Sequence, residues 1–417
     1  MKTARVVVPA SVAGAFFCVV LGLSPAVFAA ADFPSGRDDF LALTARAAVL
    51  TDAASGDVLY AKNPDEVIAP ASLTKLMTIH VAQRLAAVQD VSLDAPVPLP
   101  PESWAVNQPP RSSLMFLAQG QIVSLRELFL GLAIPSGNDA AVAVALRFAP
   151  TTGQFASLMN SEAARLGLTR TRFVEPSGIS EYNSTTAREF AVFCREYIRA
   201  HRENLRLYHT APEFAYPKAE NVSSAQKRHP GTIVQGNHIS ILARYPGADG
   251  LKTGYIDEAG YNLAATAERD GTRFIAVILG VPAELGLRRG DSARTEDAVA
   301  LLDFGFANFK TVRQPLPPLR EAKVWKGRKN RLPVIPAREL VWTIPAGRGD
   351  ELWLETWYAG NLVAPLPAGV KAGEITLVDG DGALASIDLL TAAPVERAGL
   401  LKRALHSVAM AFRGISR

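Results

Sequence analysis

The sequence predicts an α+β domain followed by a small all-β domain and a C-terminal amphipathic helix. Three observations carry this expectation. Strand-forming segments flank a long stretch of helical pattern, so the two ends of that stretch can complete one antiparallel sheet with helices packed against it. Composition then shifts at a proline-rich, basic segment near residue 312. The final segment returns to helical spacing, with apolar and basic residues on different faces.

Each element has a local reason. "AAVLTDAASGDVLYAKN" reads as two strands about a Gly-containing turn, with Val49, Leu50, Val58, Leu59 and Tyr60 as strand formers. Helical patterns dominate from Ser72 to about Ala200. "YNLAATAERDGTRFIAVILGV" is a second hairpin, in which Asp270-Gly271 turns between a strand ending near Ala267 and one from Arg273 to Val281. The helical "ARTEDAVALLDFGFANF" closes the first domain. After "RQPLPPLREAKVWKGRKNRLPVIPA" come short β-like pieces, "LVWTIP", "LWLETWY" and "GEITLVDGDGALASIDL", punctuated by Gly and Asp-Gly. In "ERAGLLKRALHSVAMAFRGISR", Leu401, Leu405, Val408 and Phe412 fall on one face, and Lys402, Arg403, His406 and Arg413 largely on others. Such a helix suits an anionic lipid interface, which is the favoured reading; packing on its own protein is the alternative. The expected division is a leader over 1–30, a first domain over 31–311, a β domain over 312–390 and the helix over 391–417.

Composition narrows the classes of function. A chain of 417 residues, 48% hydrophobic, can bury one large core and a smaller second one. With 44 basic against 40 acidic residues, there is too little excess charge for a whole-protein nucleic-acid binder. Lys2 and Arg5, the apolar stretch from Val6 to Leu23, and small residues from Ala26 to Ala31 form a secretory leader pattern, with an uncleaved anchor as the alternative. Without Cys18, only Cys194 remains, so the mature chain forms no internal disulfide. Cys194 shares a helical face with Phe190, Phe193 and Tyr197, as a buried structural thiol does. The six histidines show no ligand spacing with carboxylates or cysteines, and no metal or organic cofactor is expected.

The chemistry concentrates in three short motifs. In "PASLTKLMT", a helix starting near Pro70 puts Ser72 in its first turn and Lys75 on the same face. A serine hydroxyl is a weak nucleophile until a neighbouring amine, held neutral by burial or nearby cations, takes its proton. Ser-x-x-Lys is common by chance, but two further motifs accompany it. "PSGND" sets Ser136, Gly137 and Asn138 in a turn between helices, where a second hydroxyl can relay protons and an amide can hold a carbonyl. "DGLKTGY" sets Lys252, Thr253 and Gly254 at the start of a strand, where a cation and a hydroxyl can bind a carboxylate and glycine admits a substrate backbone.

On these motifs the sequence resembles the serine penicillin-recognising enzymes, which carry Ser-x-x-Lys, Ser-Asp-Asn and Lys-Thr-Gly. It is most similar to the low-molecular-weight penicillin-binding proteins that are D-alanyl-D-alanine carboxypeptidases. "SGDVLYAKNPDEVIAPASLTKLMT", "LAIPSGNDAAVAVA", "FASLMNSEAARLGLTRTRFVEPSG" and "DGLKTGYIDEAGYNLAATA" look like family blocks. The resemblance implies the β-lactamase/D,D-peptidase fold, an antiparallel sheet flanked by helices with a helical subdomain. It also implies that Ser72 is the acylated nucleophile, Lys75 its base and Ser136 a proton relay. Asn138 would contact the substrate amide, Lys252 and Thr253 the terminal carboxylate, and the N–H groups of Ser72 and Tyr255 the developing oxyanion. Arg294 stands where the family has an arginine that helps bind that carboxylate, with a surface arginine as the competing explanation.

Two positions depart from the pattern: Gly137 replaces Asp, and Glu175 in "FVEPSGI" stands where the branch usually shows Asn. Glu175 is not the deacylating glutamate of a class A β-lactamase, because the expected Glu-x-x-Leu-Asn reads Glu-Pro-Ser-Gly-Ile. The resulting expectation is an extracytoplasmic carboxypeptidase acting on peptidoglycan pentapeptide stems, acylated by β-lactam antibiotics and attached to the membrane surface by its last helix. A D,D-endopeptidase, a β-lactamase and a non-catalytic wall-binding protein are the rivals.

Overall fold

The computed structural model describes residues 6–7, 40–222, 231–349 and 351–412. These divide into two compact units, one ending at Ala307 and the other made of the residues from Asn308 onward together with Val6 and Val7. Apart from Val6 and Val7, which pair with Leu354 and Trp353 of the second unit, the expected leader lies outside the described residues.

A five-stranded antiparallel sheet organises the first unit. It contains β1 (Ala47–Asp52), β2 (Val58–Lys62), β3 (Ala248–Ile256), β4 (Gly260–Arg269) and β5 (Thr272–Val281), in the order β2-β1-β5-β4-β3. The chain ends of this unit therefore meet, with Val49 of β1 opposite Val277 of β5. Asp270 and Gly271 both take positive φ, 49° and 76°, as a two-residue hairpin turn of this hand requires. β5 is buried along its whole length, which explains why it reads as a continuous apolar run.

Helices cover both sheet faces. α1 (Thr74–Val88), α2 (Leu125–Ala133), α3 (Asn138–Phe148) and α4 (Thr152–Arg165) form a helical layer, and α5 (Ala187–Ala200) packs on β1 and β5. α5 buries Phe190, Phe193, Cys194 and Tyr197, and burial pushes the Cys194 thiol far above its ordinary value. α6 (Gly286–Asn308) lies against the sheet, where Gly305 fits between Phe274 and Leu50. The helical reading of 72–200 fails between α4 and α5, where residues 166–186 form no helix, and between α1 and α2. Residues 89–124 there form short 3-10 turns and two-residue strands instead, because Pro96, Pro98, Pro100, Pro101, Pro109 and Pro110 deny the chain helical hydrogen bonds.

The second unit is all-β apart from its last helix. It contains β6 (Phe309–Arg313), β7 (Val334–Pro336), β8 (Val341–Pro345), β9 (Trp353–Tyr358), β10 (Lys371–Asp379) and β11 (Gly382–Thr391). Trp342, Ile375, Leu377 and Leu389 form its core. α7 (Leu400–Ala411) sits on this unit through buried Met410, through the Lys326 N–H donated to His406 Nδ1 (2.8 Å), and through Lys402 Nζ donated to the Arg328 carbonyl (2.9 Å). Leu401, Leu405, Val408 and Phe412 remain exposed. No helix among the described residues is long and apolar enough to cross a membrane.

Candidate active site

Ser72 lies in a single 3-10 turn, Ala71–Leu73, that leads into α1. Ala71 adopts φ 50°, a left-handed conformation that costs a non-glycine residue about 1 kcal/mol. Two glycines let other chains close on this turn. A Cβ on Gly178 would fall 1.9 Å from the Ala71 carbonyl oxygen, and one on Gly254 of β3 would fall 2.8 Å from the Pro70 carbonyl and 3.2 Å from Ser72 N. The loop carrying Gly178 and the edge strand β3 thus converge on the serine from regions far apart in sequence.

Lys75, one helical turn on, is fully buried and makes three hydrogen bonds. Its Nζ donates to Ser72 Oγ (2.8 Å), Asn138 Oδ1 (2.8 Å) and the Ser177 carbonyl (2.5 Å). All three acceptors are neutral, so none compensates for the loss of water around an ammonium. Burial therefore lowers the amine to about 7, although the charges of Glu175 and Asp139 act in the opposite direction. At neutral pH a large share of Lys75 is free base beside a serine hydroxyl.

The turn between α2 and α3 presents Ser136 and Asn138. Ser136 has φ 62°, and its buried Oγ has no hydrogen-bond partner among the described residues, which leaves it available for proton relay. Asp139 anchors the turn by accepting N–H groups from Met115 (2.8 Å) and Leu117 (2.9 Å). Burial pushes its carboxyl up, against those hydrogen bonds.

Lys252 lies mid-strand in β3, not at the strand start expected from sequence, and its Nζ donates to the Thr253 carbonyl (3.1 Å). Burial holds this amine well below its usual range, and the Lys75 and Arg294 charges add to the effect. A bound carboxylate would supply the missing counter-charge. Thr253 is buried beside it, whereas Tyr255 is exposed, donates to Asp257 Oδ1 (2.6 Å) and lies against the Tyr261 ring at 4.4 Å, tilted by 33°. Arg294 is no surface residue. It is 6% exposed and donates to the carbonyls of Gly254 (3.1 Å) and Asn262 (3.2 Å) and to Asp291, so it braces β3 from behind.

Sequence reasoning missed one contributor and left the part played by another open. Asn262 of β4, fully buried, donates to the Ala69 carbonyl (2.9 Å) and accepts from Gly280 N (2.8 Å), tying the approach to Ser72 onto the sheet. A lone amide inside an apolar strand was the available signal, because a buried polar group must be answering another. The residue left open is Glu175, whose carboxylate collects donors from its own loop: Ser177 N (2.6 Å), Ser177 Oγ (2.5 Å), Gly178 N (2.6 Å) and Asn183 Nδ2 (2.8 Å). The local hydrogen bonding that the Asn-to-Glu departure put in question is thus supplied by the carboxylate.

Folding also brings together one group that sequence spacing did not suggest. The ligand atoms of His80, Glu162 and Glu196 lie within 4.8 Å of one another. Arg84 and Arg165 already pair with Glu162, and Arg165 and Arg199 with Glu196, so the positive charge a cation would bring is present in guanidinium groups.

Residues 34–283 match the peptidase S11 family, described as D-alanyl-D-alanine carboxypeptidase, and residues 312–397 match the C-terminal domain of penicillin-binding protein 5. The chain belongs to the peptidase S11 family. Within it, the D-alanyl-D-alanine carboxypeptidase DacD of Salmonella typhimurium is 33% identical, over 91% of this chain and 93% of that protein. The crystal structure of penicillin-binding protein 5 from Haemophilus influenzae superposes with a TM-score of 0.70 at 31% identity, covering 85% of this chain and 98% of its own. Penicillin-binding protein D2 from Listeria monocytogenes, solved in an ampicillin-bound form, gives 0.53 at 28% identity over 64% of this chain and 99% of its own. This peptidase S11 member therefore has the penicillin-binding protein fold, with its peptidase domain followed by the penicillin-binding protein 5 type of β domain.

Proposed function

We propose that this serine-type carboxypeptidase removes the terminal D-alanine from peptidoglycan pentapeptide stems through an ester on Ser72. The observation that carries the reading is the buried Lys75 amine, 2.8 Å from Ser72 Oγ and answered, among the described residues, by neutral acceptors. Lys75 takes the hydroxyl proton as Oγ bonds to the carbonyl carbon between the two D-alanines. Backbone N–H groups at Ser72 and Tyr255 receive the developing oxyanion. The C–N bond then breaks, its nitrogen collects a proton relayed through Ser136, and D-alanine leaves. Water attacks the ester, the stem departs with a new carboxylate, and Ser72 regains its proton. Asn138 orients the substrate amide, while Lys252 and Thr253 hold the terminal carboxylate, with Gly254 giving the backbone room. Arg294 acts indirectly, by fixing β3. A β-lactam follows the same first step, with its ring C–N bond breaking in place of the peptide bond.

Free D-alanine release from a synthetic pentapeptide, measured on wild type and Ser72→Ala, tests this. The expected result is release by wild type alone. Cleavage of cross-linked muropeptide dimers without free D-alanine would make it an endopeptidase, and rapid penicillin turnover a β-lactamase. No covalent adduct on Ser72 after penicillin treatment would make it a non-catalytic wall protein.

The leader pattern supports export across the cytoplasmic membrane, and the exposed row of Leu401, Leu405, Val408 and Phe412 supports attachment to the membrane face by α7. Sedimentation with anionic vesicles tests the attachment. Leu401→Ser with Leu405→Ser is expected to leave the protein in the supernatant, and undiminished sedimentation contradicts it.

A further inference from the structure

The Glu175 loop does more than close the back of the cleft. Residues 175–180 fold around one carboxylate, which accepts the main-chain N–H groups of Ser177 and Gly178, with a longer contact from Ser180 N at 3.4 Å. Main-chain N–H groups that converge on an anion turn the intervening carbonyls outward. Here the Ser177 carbonyl turns to Lys75 Nζ and the Pro176 carbonyl accepts Thr78 Oγ1 (2.7 Å), so the loop grips α1 at two points near the nucleophile. Asn183 completes the support, accepting Val174 N (2.7 Å) while donating to Glu175 Oε1. No cation pairs with Glu175 among the described residues, so its charge is balanced by neutral donors only and remains felt at Lys75.

We infer that Glu175 is a positioning residue for acylation: its carboxylate holds the Ser177 carbonyl against the Lys75 amine, and its charge ties the protonation of that amine to the loop. The inference rests on the Ser72–Lys75 reading. The groups acting on Lys75 include Glu175 and Asp139, which favour its charged form. Lys252 and His238 are coupled to Lys75 as well, but burial lowers both amine and imidazole from their usual ranges. Removing the Glu175 charge leaves Asp139 as the remaining anion that favours the charged amine. The free amine should then persist to lower pH.

The test is the pH dependence of acylation of the full-length protein by a fluorescent penicillin. Glu175→Gln preserves size but loses charge and half of the acceptors. Glu175→Asn, the residue the branch usually carries, is a second uncharged variant should the first fold poorly. Both are expected to move the acid limb of the acylation profile about one pH unit lower and to reduce the plateau rate about tenfold or more, as misplacement of a base does. Glu175→Asp keeps the charge and is expected to leave the midpoint in place while the plateau falls. A uniform loss with the wild-type midpoint in both uncharged variants overturns the inference, as does a wild-type plateau. Ser72→Ala separates the two levels. If it still takes the label, the nucleophile reading fails. If only wild type and the Glu175 variants label, with unmoved midpoints, the inference alone fails.

Discussion

One helix, α1, carries two buried polar centres that are built on opposite terms. Near its start, the Lys75 amine has three neutral acceptors and no ion pair among the described residues, and burial holds it down at about 7. Further along, His80 contacts Glu162 at 2.8 Å, and Arg84 and Arg165 also pair with that one carboxylate. Those hydrogen bonds and charges hold Glu162 far below the usual carboxylate range, overcoming the desolvation that acts the other way. A buried charge is stabilised by partners or shifted by their lack. The Glu162 centre follows the first course and fastens helices together. The Lys75 centre follows the second, and its amine is lowered to about 7, where the proposed role as base needs it.

The largest effect expected from breaking this contrast is at Lys75. Lys75→Ala should slow acylation by fluorescent penicillin by about 10²–10⁴-fold, the usual range for loss of a general base. A loss below about threefold would mean that another group takes the serine proton. Next comes the packing that delivers the loop to the site. Gly178→Ala places a methyl into the Ala71 carbonyl at a φ of 85°, so it should both destabilise the fold by about 2–3 kcal/mol, in the range of overpacking plus backbone strain, and slow acylation. Thermal unfolding with a labelling rate checks both, and a protein unchanged in each would remove the close approach from the account.

At the other centre, Glu162→Ala should cost about 2–3 kcal/mol in denaturant unfolding. That lies at the low end for breaking a buried pair, because the two arginines are each 45% exposed. Its labelling rate should stay within about twofold of wild type, since the arginines, and not the nucleophile, lose a partner. The smallest effect is its pH signature. A carboxylate with a depressed folded value contributes stability in full above its unfolded value, about 4.3, and loses it as the pH falls toward the folded value. Wild type should therefore lose stability on acidification below about pH 4.3, and Glu162→Ala should lose less over the same window. Parallel curves would contradict the assignment.

Much of the site was legible because its motifs are contiguous. Ser72 and Lys75 lie one helical turn apart, and Ser136 and Asn138 share one turn, so local geometry predicts their neighbours. Both hairpins follow from runs of strand formers about a Gly-containing turn, Asp270-Gly271 in the second, and the pairing of β1 with β5 from the sheet expected between the two ends of the domain. What remained hidden depends on long-range approach. The Ser177 carbonyl reaches Lys75 across 102 residues, and Asn262 answers Ala69 across 193. A main-chain acceptor leaves no mark in a side-chain pattern. Arg294 could be placed near the site from sequence, but not its direction, because only the fold sets it behind β3 and against Asp291. The region between α1 and α2 misled for the opposite reason: apolar spacing suggested helix while repeated prolines forbade it.

The central claim is that burial without a counter-ion makes Lys75 a base at neutral pH. The most direct measurement is the pH profile of Ser72 acylation in the wild-type protein, with the adduct located by mass spectrometry. The account predicts a rate that rises through a midpoint near 7 and then levels. A rise centred near the ordinary lysine value of about 10, or an adduct on any residue other than Ser72, would contradict it.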